Sequence, residues 1–126
     1  MNIEIKKSKI HNRGVFSSID IKENEIIEIC PIILLNENDT KIIDDTHLYN
    51  YYFAWENKQS AICLAYGSLY NHSYQANAKY IKDFSNNTII FIAIKNIKKN
   101  EEITVNYNGD PSNLEPVWFE KDKNKF

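Results

Sequence analysis

At 126 residues the chain has room for one domain built around a single core. Its apolar share of 43% beside 25% charged residues is that of a globular protein, and no apolar run approaches the roughly 20 residues a membrane-spanning helix requires. A formal net charge of −2 at pH 7 lacks the basic excess that direct nucleic-acid binding draws on, and slightly favours a basic partner.

The opening, MNIEIKKSKIHNRGVF, has no continuous apolar core and no small-residue cleavage site, so no secretory leader is expected and the chain reads as intracellular. Next along the chain, IEI, RGVFSSI and EIIEICPIILL are short runs rich in Ile, Val and Phe, bounded by Asn, Asp and Lys, and they predict β-strands. The segment DDTHLYNYYFAWEN is the best candidate for a helix or helical turn, with Asp45 or Thr46 to cap it and Leu48, Tyr51, Tyr52 and Trp55 at helical spacing. SAICLAY returns to strand. AKYIKDF and TIIFIAIKNI predict a hairpin turning at Ser85, Asn86 and Asn87, because Asn tolerates the left-handed conformation of a tight turn. TIIFIAI is apolar at every position but its first, which predicts a central strand covered on both faces. After ITVNY, the prolines of GDPSNLEPVWFEKDKNKF predict a loop, a short helix and a charged tail.

The excess of Ile, Asn and Lys is that of a biased coding composition, so the rarer residues carry more information. Cys30 and Cys63 are too few and too far apart for a zinc-ligand set or a disulfide framework, and are expected to be buried free thiols. The chain has three glycines, and Arg13, its single arginine, adjoins the first of them in HNRGVF. Gly67 and Gly109 lie in LAYGSLYNH and VNYNGD, so the glycines mark three polar turns among the strands.

Three separated pieces, HNRGVF, NHSYQAN and EEITVNY, resemble in order and spacing the signature segments of SET-domain protein lysine methyltransferases. The family pattern is a Gly-rich turn before G-V/L-F, then N-H-S-x-x-P-N, then E-E-L/I-T-x-x-Y. The resemblance runs from about Ile3 to Asn108 and is greatest to the minimal, stand-alone SET proteins of viral type, with no room for cysteine-rich flanking modules. It implies a mainly β (α+β) β-clip fold of several small sheets with short helices and a threaded C-terminal segment. Residues 1–126 form a single domain in this reading, with a core of about 3–108 and a C-terminal lid and tail at 109–126.

The same resemblance implies transfer of a methyl group from S-adenosyl-L-methionine to a protein lysine, with a histone tail as the leading substrate class. A histone substrate would place the protein in a nucleus or host nucleus, any other in the cytoplasm. Tyr107 matches the family's catalytic tyrosine, whose hydroxyl orients the methyl group and is too weak a base to take a proton, with an ordinary pKa of about 10. Cofactor contacts are implied for Asn12, Arg13, Gly14, Asn71, His72, Tyr107 and Trp118, Asn71 offering its amide and carbonyl to the amino-acid end of the cofactor. Tyr51 or Tyr52, with Tyr70 and Val105, would line the lysine channel. No metal is implied.

Ala76 stands where the family has proline, which loosens a turn at a cost to stability rather than to chemistry. No cysteine cluster follows Tyr107, so NLEPVWF, with Trp118 or Phe119, must close the pocket, or a second subunit must do so in a homodimer. Two other readings stand beside this one: an inactive SET-fold module that binds peptide or cofactor without turnover, and a metal-dependent hydrolase using His11, His47 and His72.

Overall fold

Short runs of Ile, Val, Phe and Tyr fold into two small sheets in the computed structural model, which describes residues 2–117. The strands are β1 (Ile3–Lys7), β2 (Arg13–Ser17), β3 (Ile26–Leu35), β4 (Phe53–Ala54), β5 (Ser60–Cys63), β6 (Asn71–His72), β7 (Ala78–Asp83), β8 (Thr88–Ala93) and β9 (Glu102–Val105). One sheet has the order β1-β2-β9-β6 and the other β4-β5-β3-β8-β7. The expected mainly β fold with short helices is what the chain adopts.

Asparagine makes many of the reversals. Asn12, Asn24, Asn57, Asn87 and Asn100 all have positive φ, the conformation that a β-branched residue resists and Asn accepts. The asparagine excess therefore has a structural use that composition alone concealed. Asn87 closes the predicted hairpin, in which β7 and β8 pair from Ala78↔Ala93 to Asp83↔Thr88.

β9 decides how the site is assembled. It lies between β2, which it meets antiparallel at Val15↔Ile103, and β6, which it meets parallel at Asn71↔Thr104 and His72↔Val105. Its apolar side chains Ile103 and Val105 are buried with Val15, Ile89 and Phe91 in one core. The three polar turns that are far apart in sequence are thereby drawn to one end of the sheet.

Several expectations are corrected. The segment read as a helix or helical turn at 44–57 forms a 3-10 turn, His47–Asn50, capped by Thr46, and then passes into β4 instead of continuing as helix. Tyr51, Tyr52 and Phe53 point instead toward a cavity described below, where aromatic packing outweighs helical propensity. The α-helix is α1 (Glu37–Ile43), which begins at Asn36, whose side chain accepts from the Asp39 amide; none of its residues is buried, so it carries no apolar stripe to reveal it. No helix forms in the described part of the C-terminal segment, 109–117. β8 is central as expected, but only Ile89, Phe91 and Ala93 are buried, and its other face is only half-buried. Cys30 and Cys63 are buried and free, as read from the sequence.

Burial lifts the phenols of Tyr70, Tyr80 and Tyr107 above the ordinary tyrosine value. Unfolded tyrosines ionise near pH 10 whereas these stay protonated beyond it, so the folded state holds more protons there; their contribution to stability is complete below about pH 10 and is lost as pH rises. Thermal melts from about pH 8 to about pH 12 should show a midpoint insensitive to this group up to about pH 10 and falling above it.

Candidate functional site

The first turn is held in place by a polar latch. Asn71, buried on β6, presents its amide nitrogen to Glu102 Oε2 at 2.8 Å, Arg13 O at 2.9 Å, and Ser8 Oγ and His11 O at 3.2 Å. An amide nitrogen has two hydrogens, which the two shortest contacts take. Glu102 also accepts from the Ser8 hydroxyl at 2.7 Å, so one carboxylate binds residue 8 and residue 71 together. Gly14 must be glycine for this: a Cβ there would lie 2.3 Å from Glu102 Oε2 and 2.9 Å from Asn71 Nδ2. The amide donor expected to meet a cofactor is thus committed to the protein itself, and Asn71 shapes the turn that borders the site.

A second set of contacts fixes Tyr107. Its backbone N–H donates to His72 Nδ1 at 3.0 Å, which leaves the proton of a neutral imidazole on Nε2. Its hydroxyl donates to the Tyr70 carbonyl at 2.6 Å. The backbone oxygen of Tyr107 accepts from the Tyr80 hydroxyl at 3.3 Å. Held at three atoms and kept protonated by burial, the phenol is a fixed dipole rather than a base.

Two cavities meet at this residue. The smaller, about 650 Å³, is bordered by Ile10, Asn12, Arg13, Leu69, Asn71, His72 and Tyr74. The larger, about 680 Å³, is walled by Tyr52, Phe53, Tyr70, Tyr80, Phe84 and Val105, with Gly109 at its edge. Asn50, Tyr51, Ser68 and Tyr107 border both. Edge-to-face packing of Phe53 on Tyr80, with ring centres 5.0 Å apart, stiffens the aromatic wall. Lys82 is the single charged residue among those bordering the larger cavity; its Nζ donates to the Ala54 carbonyl at 2.6 Å, and burial lowers its pKa.

The sequence-derived residues fall into groups. Asn12, Arg13, Asn71 and His72 border the smaller cavity, whereas Gly14 lies behind it, packed against the latch. Tyr51 stands at the junction, while Tyr52 borders only the larger cavity and donates its hydroxyl to Asp44 at 2.7 Å. Tyr70 gives the larger cavity a floor, but its ring is stacked on Phe91 in the core and its hydroxyl points to Glu28 at 2.7 Å. Its carbonyl is its contribution at Tyr107. Val105 lines the larger cavity. Trp118 and Phe119 lie outside the described residues.

His11, His47 and His72 all border the smaller cavity, yet among the described residues no His, Cys, Asp or Glu group has the arrangement to hold a metal ion. Ser8, Ser68 and Tyr80 belong to the site and were not foreseen. The signal for Tyr80 was present, since alternation along AKYIKDF puts Ala78, Tyr80 and Lys82 on one face. Nothing local marks Ser8 or Ser68.

Comparison with known proteins bears on this arrangement. The family model of the SET domain matches residues 12–108. A fission yeast (Schizosaccharomyces pombe) protein described as a histone-lysine N-methyltransferase specific for H3 lysine-37 is 31% identical over 119 residues, 94% of this chain and 77% of that protein. A Plasmodium falciparum structure described as a candidate histone methyltransferase superposes with a TM-score of 0.68 at 36% identity, over 86% of this chain and 98% of that one. A Chaetomium thermophilum Polycomb Repressive Complex 2 structure also reaches a TM-score of 0.68, at 23% identity over 83% of this chain and 14% of that one, a likeness of fold alone.

Glu102→Gln tests the latch. A carboxamide offers one acceptor oxygen where Ser8 and Asn71 now use two, so one partner is left unsatisfied at a cost of about 1–3 kcal/mol. Urea unfolding should show that loss, and Gly14→Ala should show a loss of similar size.

Proposed function

Because the chain belongs to the SET-domain family of protein-lysine N-methyltransferases, we propose that it transfers a methyl group from S-adenosylmethionine to a lysine side chain of a histone tail, with Tyr107 at the point of transfer. The observation that carries this reading is the shared border of the two cavities. Displacement at a methyl carbon requires nucleophile and leaving group on opposite sides of it, and here two sites of suitable size converge on one fixed tyrosine.

The smaller cavity fits a cofactor that is polar at one end and apolar along its body. Asn12, at positive φ, turns the backbone beside Arg13, while Ile10, Leu69 and Tyr74 supply apolar surface. When bound there, S-adenosylmethionine supplies a methyl group on a positively charged sulfur. The chain's own task is to hold and orient: the Tyr107 oxygen and the Tyr70 carbonyl, joined at 2.6 Å, present negative ends of dipoles at the junction.

The larger cavity suits a lysine side chain, whose methylene stem packs on aromatic rings. An incoming ammonium has an ordinary pKa of about 10.4 and must lose a proton before it can attack. The aromatic wall withholds water from it, and the Lys82 cation along the same wall repels it; both favour the neutral amine. The carboxylates Asp39, Asp44, Asp45 and Glu56 complement a basic tail, and the yeast relative is described as acting on histone H3. A histone substrate makes a nucleus the place of action.

Labelled methyl transfer to histones and lysine peptides tests the reading. Tyr107→Phe should keep cofactor affinity in calorimetry while turnover falls by about 100-fold or more, the size expected when one oriented polar group is lost from a reacting centre. Unchanged turnover would remove Tyr107 from its role. Asn71→Ala should weaken cofactor binding, because the turn bordering the smaller cavity loses its anchor.

A further inference from the structure

Lys82 stands at the outer end of the larger cavity, away from the point of transfer. β7 begins beside β9, to which the preceding residue, Asn77, is bonded, and it runs outward from there. Tyr80 still reaches the Tyr107 carbonyl at 3.3 Å, and Lys82 follows two residues later on the same face, about 7 Å further along the strand. There its Nζ lies 2.6 Å from the Ala54 carbonyl. β4 and β7 are the two edges of one sheet, so this bond pins the ammonium where the edges approach each other.

The surroundings of that ammonium are incomplete for a cation. None of the ion pairs among the described residues includes Lys82. Asp83 alternates to the opposite face and accepts from Ser85 and Asn86, while Asp44 accepts from the Tyr52 hydroxyl. A half-buried ammonium thus has a neutral carbonyl where a carboxylate would compensate it, and burial lowers its pKa accordingly. It carries three hydrogens, of which the Ala54 carbonyl takes one. Apolar surface adjoins it: Phe84 borders the same cavity and is held edge-to-face by Trp55, with ring centres 4.9 Å apart. The cavity, at about 680 Å³, is in the range that encloses a whole small-molecule ligand, so one lysine stem leaves the outer part near Ala54, Lys82 and Phe84 for a second side chain.

We propose that Lys82 determines which lysine is chosen, by receiving a carboxylate side chain, Asp or Glu, that flanks the target lysine in the substrate. The stem of that residue packs on Phe84, and its oxygens accept from Nζ in a charge-assisted hydrogen bond. The same cation rejects Arg or Lys at that position. The inference rests on the reading of this cavity as the lysine site, and adds to it a selection among the lysines of a basic tail.

Peptides with a single lysine, carrying Glu, Gln or Arg at each of two positions on either side of it, supply the test. Fluorescence anisotropy with S-adenosylhomocysteine present follows their binding and needs no turnover. At one flanking position Glu should bind at least about fivefold more tightly than Gln, and Arg at least about fivefold more weakly, the size of a modest ion pair. Lys82→Glu should reverse that order, Lys82→Met should level it, and Lys82→Arg should keep it. The ratio of kcat/KM values between Glu and Arg peptides in labelled methyl transfer should follow the same pattern. Each ratio compares peptides on one variant, so any change in basal turnover cancels. If Lys82 serves only to pin Ala54, its variants weaken all peptides equally, and that outcome overturns the proposal. So does binding of no peptide, equal binding of all three, or an order of preference unmoved by Lys82→Glu and Lys82→Met. Charge-dependent binding without methyl transfer would uphold the subsite and remove the transfer reading.

Discussion

The amide of Asn71 reaches the Glu102 carboxylate at 2.8 Å and the Arg13 carbonyl at 2.9 Å, and these two contacts tie together the beginning, middle and end of the chain. They are possible because β9 inserts between β2 and β6, which puts Glu102 beside the turn that precedes β2. A carboxylate enclosed this way needs partners for both oxygens, and it has them in Ser8 and Asn71. The border of the smaller cavity is therefore fixed by long-range contacts.

The same insertion sets the position of Tyr107, two residues beyond the end of β9. His72 Nδ1 holds its backbone, the Tyr70 carbonyl holds its hydroxyl, and Tyr80 bonds its carbonyl. A phenol restrained at several points loses little freedom when substrates arrive, which is the form of preorganisation that methyl transfer rewards. The asparagines extend this order past the strand. Asn77 bridges β7 to β9 by bonding Glu102 O and Thr104 N, and Asn106 bonds the Asn113 carbonyl to hold the segment that follows Tyr107.

Strand identity was legible because Ile, Val, Phe and Tyr recur in short runs between turn residues, and the hairpin at Asn87 was legible because Asn is a turn former. The meeting of Asn71, His72 and Tyr107 was legible only through family resemblance, since no local pattern encodes β6 and β9 running side by side. The aromatic segment does begin with a capped helical turn, but Leu48, Tyr51, Tyr52 and Trp55, though at helical spacing, do not share one helix face. In the fold, Tyr51 goes to the junction, Tyr52 to Asp44 and Trp55 to Phe84, each drawn by a tertiary partner. Helix α1 escaped notice for the opposite reason: with nothing buried, it has no periodic apolar face. The strand TIIFIAI was expected to be covered on both faces because apolar residues imply burial, and its second face is only half-buried.

The mechanism requires cofactor and lysine to approach Tyr107 from opposite cavities. A crystal structure of the full chain with S-adenosylhomocysteine and a histone peptide tests it most directly. The cofactor product should lie between Ile10 and Tyr74, and the lysine should run past Phe53 and Tyr80 to end beside the Tyr107 hydroxyl. Both ligands entering through one cavity, or a lysine ending away from Tyr107, would contradict it.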